Sequence, residues 1–244
     1  MMSKRLEFVN ADKEKICAIS YGRNNGRTVI YSHGLGSSKD SYKEQKKKWA
    51  SMMNDKGIRM IFFDFRGCGK SEGKFDEVSI SNYLKDLDSV IAATEGTMGL
   101  CGHSLGAAIS MASAEKHKMP VVAVSPPTDF KEIIKSFLVQ GGHAYERVRR
   151  NIDLDIPDKH IIRTGLRFYR DSKKYNFLKI SKKIDKMMII HGDKDEIVPI
   201  HQSERITKES GAGLVVFKGC GHKFEGRNFY RMSKLTTDFF AKNL

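Results

Sequence analysis

The stretch Met98-Gly99-Leu100-Cys101-Gly102-His103-Ser104-Leu105-Gly106-Ala107-Ala108 leaves this chain few ways to fold. A short apolar run meets Gly-His-Ser-Leu-Gly, and a small-residue helical pattern through Ala107, Ala108, Ala112 and Ala114 follows at once. Strand, tight turn and helix form the context in which G-x-S-x-G has chemical meaning. Such a turn predicts a positive φ at Ser104, with Gly102 and Gly106 letting strand and helix pass closely. The hydroxyl then stands above the carboxyl end of a sheet, at the positive end of a helix dipole. Ordinary glycine-flanked turns also match these five residues, so partners elsewhere in the chain decide what Ser104 does.

Apolar runs recur with helical patterns between them. Residues 6–9 and 15–20 alternate apolar and polar side chains around Asn10-Ala11-Asp12 and predict an antiparallel hairpin at a sheet edge. Residues 28–32, 59–63 and 121–124 are more continuously apolar, as strands buried on both faces are, and 187–190 and 213–217 add two more. Helices are expected over 41–56, with Trp49, Met52 and Met53 on the apolar side, and over 80–93, 200–210 and 228–242. This alternation implies an α/β fold: a mostly parallel central sheet with helices on both faces, binding its ligands beyond the carboxyl ends of the strands. The rhythm breaks between Pro127 and Ile184, where basic helical fragments such as Glu132-Ile133-Ile134-Lys135-Ser136-Phe137-Leu138 replace strands. A loop this long inside a compact domain is rarely structureless. The expectation is therefore a core of residues 1–126 and 185–244 with a small, mainly helical cap, 127–184, inserted over the binding face.

Composition narrows the class. No stretch approaches the roughly 18 apolar residues that span a membrane. The opening Met-Met-Ser-Lys-Arg-Leu-Glu lacks the apolar segment of a signal peptide, which leads to an expectation of a cytoplasmic protein. Cys17, Cys68, Cys101 and Cys220 show no zinc-type pairing and read as buried or incidental thiols. The net charge is +14, from 43 basic and 29 acidic residues, and more than half of the excess lies between Lys131 and Lys183. Basic excess fits nucleic acid, an anionic surface or plain solubility, but no aromatic-basic interleaving of the single-strand-binding kind is present.

A serine hydroxyl is a poor nucleophile until a base takes its proton, and the base needs an orienting acid. Two predicted strand ends downstream of Ser104 offer both: His191-Gly192-Asp193-Lys194-Asp195-Glu196-Ile197-Val198-Pro199 and Lys218-Gly219-Cys220-Gly221-His222-Lys223-Phe224. Serine, acid, histidine is the chain order of α/β-hydrolases, not of chymotrypsin or subtilisin. Asp193 and Asp195 are two residues apart and cannot both face the histidine. No metal-ligand spacing is visible and no cofactor is required. The glycines at 67, 69 and 73 lack the G-K-[ST] register of a phosphate loop.

Taken together, these segments resemble the α/β-hydrolase family over nearly the whole chain. His33-Gly34-Leu35-Gly36 resembles the oxyanion-hole loop, and Asp64-Phe65-Arg66-Gly67-Cys68-Gly69-Lys70-Ser71 the D-x-R-G-x-G-x-S segment. The sequence His191-Gly192-Asp193-Lys194-Asp195 resembles the acid loop, and Gly221-His222 the histidine. Size, internal cap and Gly73-Lys74-Phe75 are similar to small bacterial carboxylesterases of the cinnamoyl/feruloyl type, with monoacylglycerol-lipase-like and serine aminopeptidase-like enzymes close by. The resemblance implies Ser104 as nucleophile, His222 as base and Asp195 as acid, with the backbone N–H groups of Leu35 and Leu105 as oxyanion donors. Asp193 is then left to cap its own loop. His33, Gly34, Gly102, His103 and Gly106 are expected to shape the site. His33 would hold its own loop, and His103 would pack or touch the cap. Arg66 and Asp64 would fix their loop as a buried Arg–Asp pair, and His191 would merely end a strand. His117, His143, His160 and His201 have no partner visible in sequence.

An ester hydrolase acting on a small-molecule substrate is the first reading, from the ordered triad with its oxyanion loop, and the basic cap leans toward substrates that carry a negative charge. A peptidase or amidase of the aminopeptidase type passes through the same tetrahedral oxyanion, but would be expected to offer carboxylates for a substrate amine. A non-catalytic anion or nucleic-acid binder on a hydrolase scaffold rests on the charge alone. It would bind DNA in a salt-sensitive way and escape fluorophosphonate labelling.

Overall fold

The computed structural model describes residues 2–133 and 158–244. Eight strands form one sheet: β1 (Ser3–Val9), β2 (Lys15–Tyr21), β3 (Arg27–Ser32), β4 (Arg59–Phe63), β5 (Thr97–His103), β6 (Val121–Val124), β7 (Met187–Gly192) and β8 (Gly213–Phe217). Their spatial order is β1-β2-β4-β3-β5-β6-β7-β8. The pairs β1–β2 and β2–β4 are antiparallel and every other pair is parallel. The edge hairpin and each interior strand therefore fall where the apolar patterns place them. The central strands β5 and β6 have both faces covered, so their interior residues carry no polar alternation.

Helices cover both faces. On one, α1 (Lys43–Asp55) packs against α7 (Gly226–Asn243), and Trp49 and Met53 share a core with Phe62, Phe229 and Phe240. Met52, expected on the apolar side of α1, is only half-buried, and Lys46 is buried instead. Its Nζ donates to the carbonyls of Ser38 and Lys39 and lies over the Tyr31 ring. A long aliphatic stem lets lysine bury its methylenes while the ammonium finds carbonyls. On the other face lie α2 (Ile80–Ala92), α3 (Leu105–His117) and α6 (His201–Ser210).

The inserted segment is partly described. In its later half, α4 (Asp158–Ser172) and α5 (Phe177–Ser181) are helical. Phe168, Phe177 and Ile184 belong to the same core cluster as Leu100, Val121 and Ile189. By packing, the end of the 127–184 segment fills the β6-to-β7 crossover rather than a separate layer, because α5 lies against α3 and α6. The Glu132–Leu138 fragment lies outside the described residues from 134 onward, as does the rest of the expected cap to 157. Among the described residues, no helix is long and apolar enough to cross a membrane.

The loop after β4 is pinned by two buried charge clusters, and its partners differ from the expected Arg66–Asp64 pair. Asp64 accepts from the Lys39 backbone N–H (2.6 Å), Lys39 Nζ (2.8 Å) and the Lys70 N–H (2.9 Å). Arg66 turns the other way, donating Nε (2.9 Å) and Nη2 (2.7 Å) to Asp86 Oδ1 on α2. Adjacent residues in an extended loop point to opposite sides, so 64 and 66 can share a side only if no turn intervenes; here Phe65 sits in the core against Tyr83. Breaking a buried ion pair leaves an uncompensated charge. An Asp86→Ala variant is accordingly expected to lose about 3–5 kcal/mol of stability, read as a lower urea midpoint. Two of the thiols are inert by burial: Cys68 is pushed up to about 12 by desolvation, and Cys101 is likewise raised.

Candidate active site

Ser104 occupies φ 54°, ψ −126°, a strained conformation for a residue with a Cβ, between the end of β5 and the start of α3. Its N–H donates to the Val124 carbonyl (2.8 Å) and its carbonyl accepts from Ala107 N–H (2.9 Å). These bonds hold the elbow to β6 and α3. The glycines are required by close approach: a Cβ on Gly106 would strike the Ser32 and His33 carbonyls, and one on Gly102 the Gly106 carbonyl. Backbone cannot yield as a flexible side chain can.

The loop after β3 runs past this turn. A Cβ on Gly34 would lie 3.3 Å from Ser104 Cβ, which puts Leu35 one residue from the elbow. His33 is buried and shapes that loop, as expected. Its Nε2 accepts from the Phe65 N–H (3.1 Å), so the ring hydrogen is on Nδ1 and is donated to the Gly34 carbonyl (2.8 Å). Leu105 is the first residue of α3, where backbone N–H groups have no intrahelical acceptor.

The acid and histidine loops follow β7 and β8, parallel neighbours whose carboxyl ends therefore lie at the same edge. The Lys194 N–H donates to Cys220 O (2.9 Å), stitching the loops together. His222 Nδ1 lies 2.9 Å from both Asp195 Oδ1 and Oδ2. A carboxylate only accepts, so Nδ1 carries the hydrogen and Nε2 is the basic nitrogen. Burial of Asp195 opposes its charge, but His222, His191 and the Ile197 and Val198 N–H groups (3.0 and 2.8 Å to Oδ1) outweigh it and hold its carboxyl well below the usual range. Asp193 turns away from the histidine and accepts from the Gly219 N–H (2.6 Å) in the turn after β8, so it ties the two loops together instead of capping its own.

His103 packs against the histidine loop, with its ring beside those of His222 and Phe224. Its Nε2 lies 2.9 Å from the His222 carbonyl, where it donates, and the two histidine rings are 4.7 Å apart, so it braces the histidine loop against the elbow. Further polar residues at the site had no signal in the sequence. His191 is fully buried and touches Asp195 Oδ2 (3.2 Å), and Glu196 Oε2 accepts from the His222 N–H (3.1 Å). The four-residue spacing of His191 and Asp195 means something only once the turn after β7 is known. His117 and His201 find acidic partners far along the chain, Asp88 (2.9 Å) and Glu132 (3.0 Å). The side chains of His143 and His160 lie outside the described residues. On the basic segment, Lys174, Lys182 and Lys183 are engaged by Asp171, Glu209 and Glu115.

The family described as Serine aminopeptidase, S33 matches residues 23–167, more than half of the chain. The mitochondrial palmitoyl-protein thioesterase ABHD10 of Mus musculus is 22% identical over 210 residues, covering 82% of this chain and 69% of that protein. Among solved structures, an esterase of Pyrococcus furiosus superposes with a TM-score of 0.77 at 18% identity, covering 99% of this chain and 91% of that one. Ferulic acid-bound Est1E of Butyrivibrio proteoclasticus gives 0.74 at 19% identity, covering 97% and 98%. With the elbow, the strand order and these matches together, the chain belongs to the serine aminopeptidase-type hydrolases of the α/β-hydrolase fold.

Proposed function

We propose that the chain hydrolyses carboxylic esters through an acyl-enzyme on Ser104. The observation that carries this reading is the pair of 2.9 Å contacts from His222 Nδ1 to Asp195, on a loop braced against the Ser104 elbow. As Ser104 Oγ attacks the acyl carbonyl, His222 Nε2 takes its proton and Asp195 stabilises the resulting imidazolium. The N–H groups of Leu35 and Leu105 receive the oxyanion, each contributing about 10²–10³ in rate. His222 returns the proton to the departing alkoxide, which leaves as alcohol. Water then gives its proton to His222, attacks the acyl carbon and releases the carboxylic acid, and Ser104 regains its hydrogen.

Thioesters and amides pass through the same oxyanion. The name of the mouse relative supports the first and the family description the second. A panel of aryl and alkyl esters of varied acyl length, aromatic acyl groups included, with matching thioesters and aminoacyl-anilides, separates them. Esters are expected to give the highest kcat/KM; anilides ahead of esters would overturn the reading. The basic excess supports an anionic substrate, in which case KM for a carboxylated ester rises with salt while that for its neutral analogue does not.

A further inference from the structure

His191 was expected only to terminate a strand, yet its ring is fully buried and every ring nitrogen has a partner. Nδ1 lies 2.6 Å from Ser203 Oγ on α6, and Nε2 lies 2.9 Å from the Val198 carbonyl and 3.2 Å from Asp195 Oδ2. Neither a carbonyl nor a carboxylate can donate, so Nε2 carries a hydrogen and shares it between them. In the neutral ring Nδ1 is then the acceptor, and the Ser203 hydroxyl donates to it. Ser203 is itself buried and lies in the first turn of α6, so it holds the ring in place from a rigid element.

We propose that His191, its ring held in place by Ser203, is a positioning residue for the hydrolytic site: its Nε2–H fixes the Asp195 carboxylate and draws part of that charge away from His222. The proposal rests on the assignment of Asp195 and His222 as acid and base. Asp195 receives two backbone donors on Oδ1, while Oδ2 is held by His191 in addition to His222. Without His191, Oδ2 loses its second donor, and its uncompensated charge falls on the imidazole. His222 then becomes more basic, and the carboxylate is free to rotate about the bond that orients the ring. Among the described residues, the charged groups bonded to the backbone of these loops include Glu196, on the His222 N–H, and Asp193, on the Gly219 N–H. Both remain in place when His191 is changed, so they do not produce the difference.

The test reads the resting protein, without substrate. Histidine ring nitrogens are labelled with ¹⁵N, the His222 signal is assigned by its loss in His222→Gln, and its pKa is measured in the wild type, His191→Leu, His191→Gln and Ser203→Ala. His191→Leu is expected to raise the His222 pKa by about 0.5–1 pH unit, because a donor to the anionic partner has gone. His191→Gln keeps an N–H at the Nε2 position but cannot titrate, and is expected to recover most of that change. Ser203→Ala should shift it in the same direction as His191→Leu, by less. On an ester that the wild type hydrolyses, His191→Leu should lower kcat about tenfold with KM unchanged, the mark of a misplaced catalytic group. A folded His191→Leu whose His222 pKa equals or falls below the wild-type value overturns the proposal, as does a His191→Gln indistinguishable from it. If His191→Leu does not fold, Ser203→Ala decides: a raised His222 pKa supports the proposal and an unchanged one overturns it. Failure of the ester reading would appear separately, as turnover absent from the wild type or independent of Ser104, with the nuclear resonance result still standing.

Discussion

Ser104→Ala is expected to lower kcat on p-nitrophenyl esters by about 10⁴–10⁶-fold, because nothing else at the elbow can carry the acyl group. Folding should be untouched. Alanine keeps the Cβ, so the strain at φ 54°, ψ −126° persists, and the bonds to Val124 and Ala107 are made by backbone. A thermal melt superimposable on the wild type, with hydrolysis lost, is the expected pair of results. Ser104→Gly sharpens it. Glycine relieves a backbone strain of about 1–3 kcal/mol at an entropic cost of about 0.5–1 kcal/mol, so this variant should melt at or above the wild-type temperature while remaining inactive. An inactive protein more stable than the active one identifies strain held for function. Undiminished hydrolysis by Ser104→Ala would overturn the nucleophile assignment outright.

Asp195→Asn should cost about 10⁴ in kcat, because an amide in that place can set the wrong imidazole tautomer and cannot stabilise an imidazolium. Asp193→Asn is the matched control. Its amide oxygen can still accept from the Gly219 N–H, and it should stay within about threefold of wild type. The pH dependence follows from the same geometry. The carboxyl of Asp195 is held below its ordinary range in the folded chain, so its contribution to stability is fully present above the unfolded value near 3.9. That contribution fades only as pH falls through the lower folded value. Across the working range Asp195 therefore stays charged. The Asn variant should lose both activity and the extra stability that the wild type holds just above pH 4, measured by urea unfolding at pH 4.5 and 7.

Local patterns reached far into this protein. The β-strands carry an apolar run or an alternation that survives without context, because burial on one or two faces is a property of the residues in the run. The elbow was legible for a similar reason, since glycines on both sides of a serine answer a demand of the backbone itself. Chain order did the rest, pairing Ser104 with two later loops, and packing at the sheet's carboxyl edge agrees with it. The partners of buried charges were less accessible. Arg66 reaches Asp86 and Asp64 reaches Lys39, on different elements, while sequence proximity suggested that the two would pair. Lys46, a charged residue of α1, is buried, and its ammonium donates to two carbonyls of the loop after β3.

What the sequence alone determined is the sheet, the glycine-flanked turn and the order of a serine, an acidic loop and a histidine along the chain, because each is encoded in contiguous residues or in their order. Only the tertiary structure decided between Asp193 and Asp195 by contact, put His103 against the His222 carbonyl, and set the buried His191 between Asp195 and Ser203. These choices depend on which loops meet at the carboxyl edge and on which side of each loop a side chain leaves. Hydrogen bonds are directional over about 3 Å, and no periodicity along the chain records directions that arise only when distant segments pack.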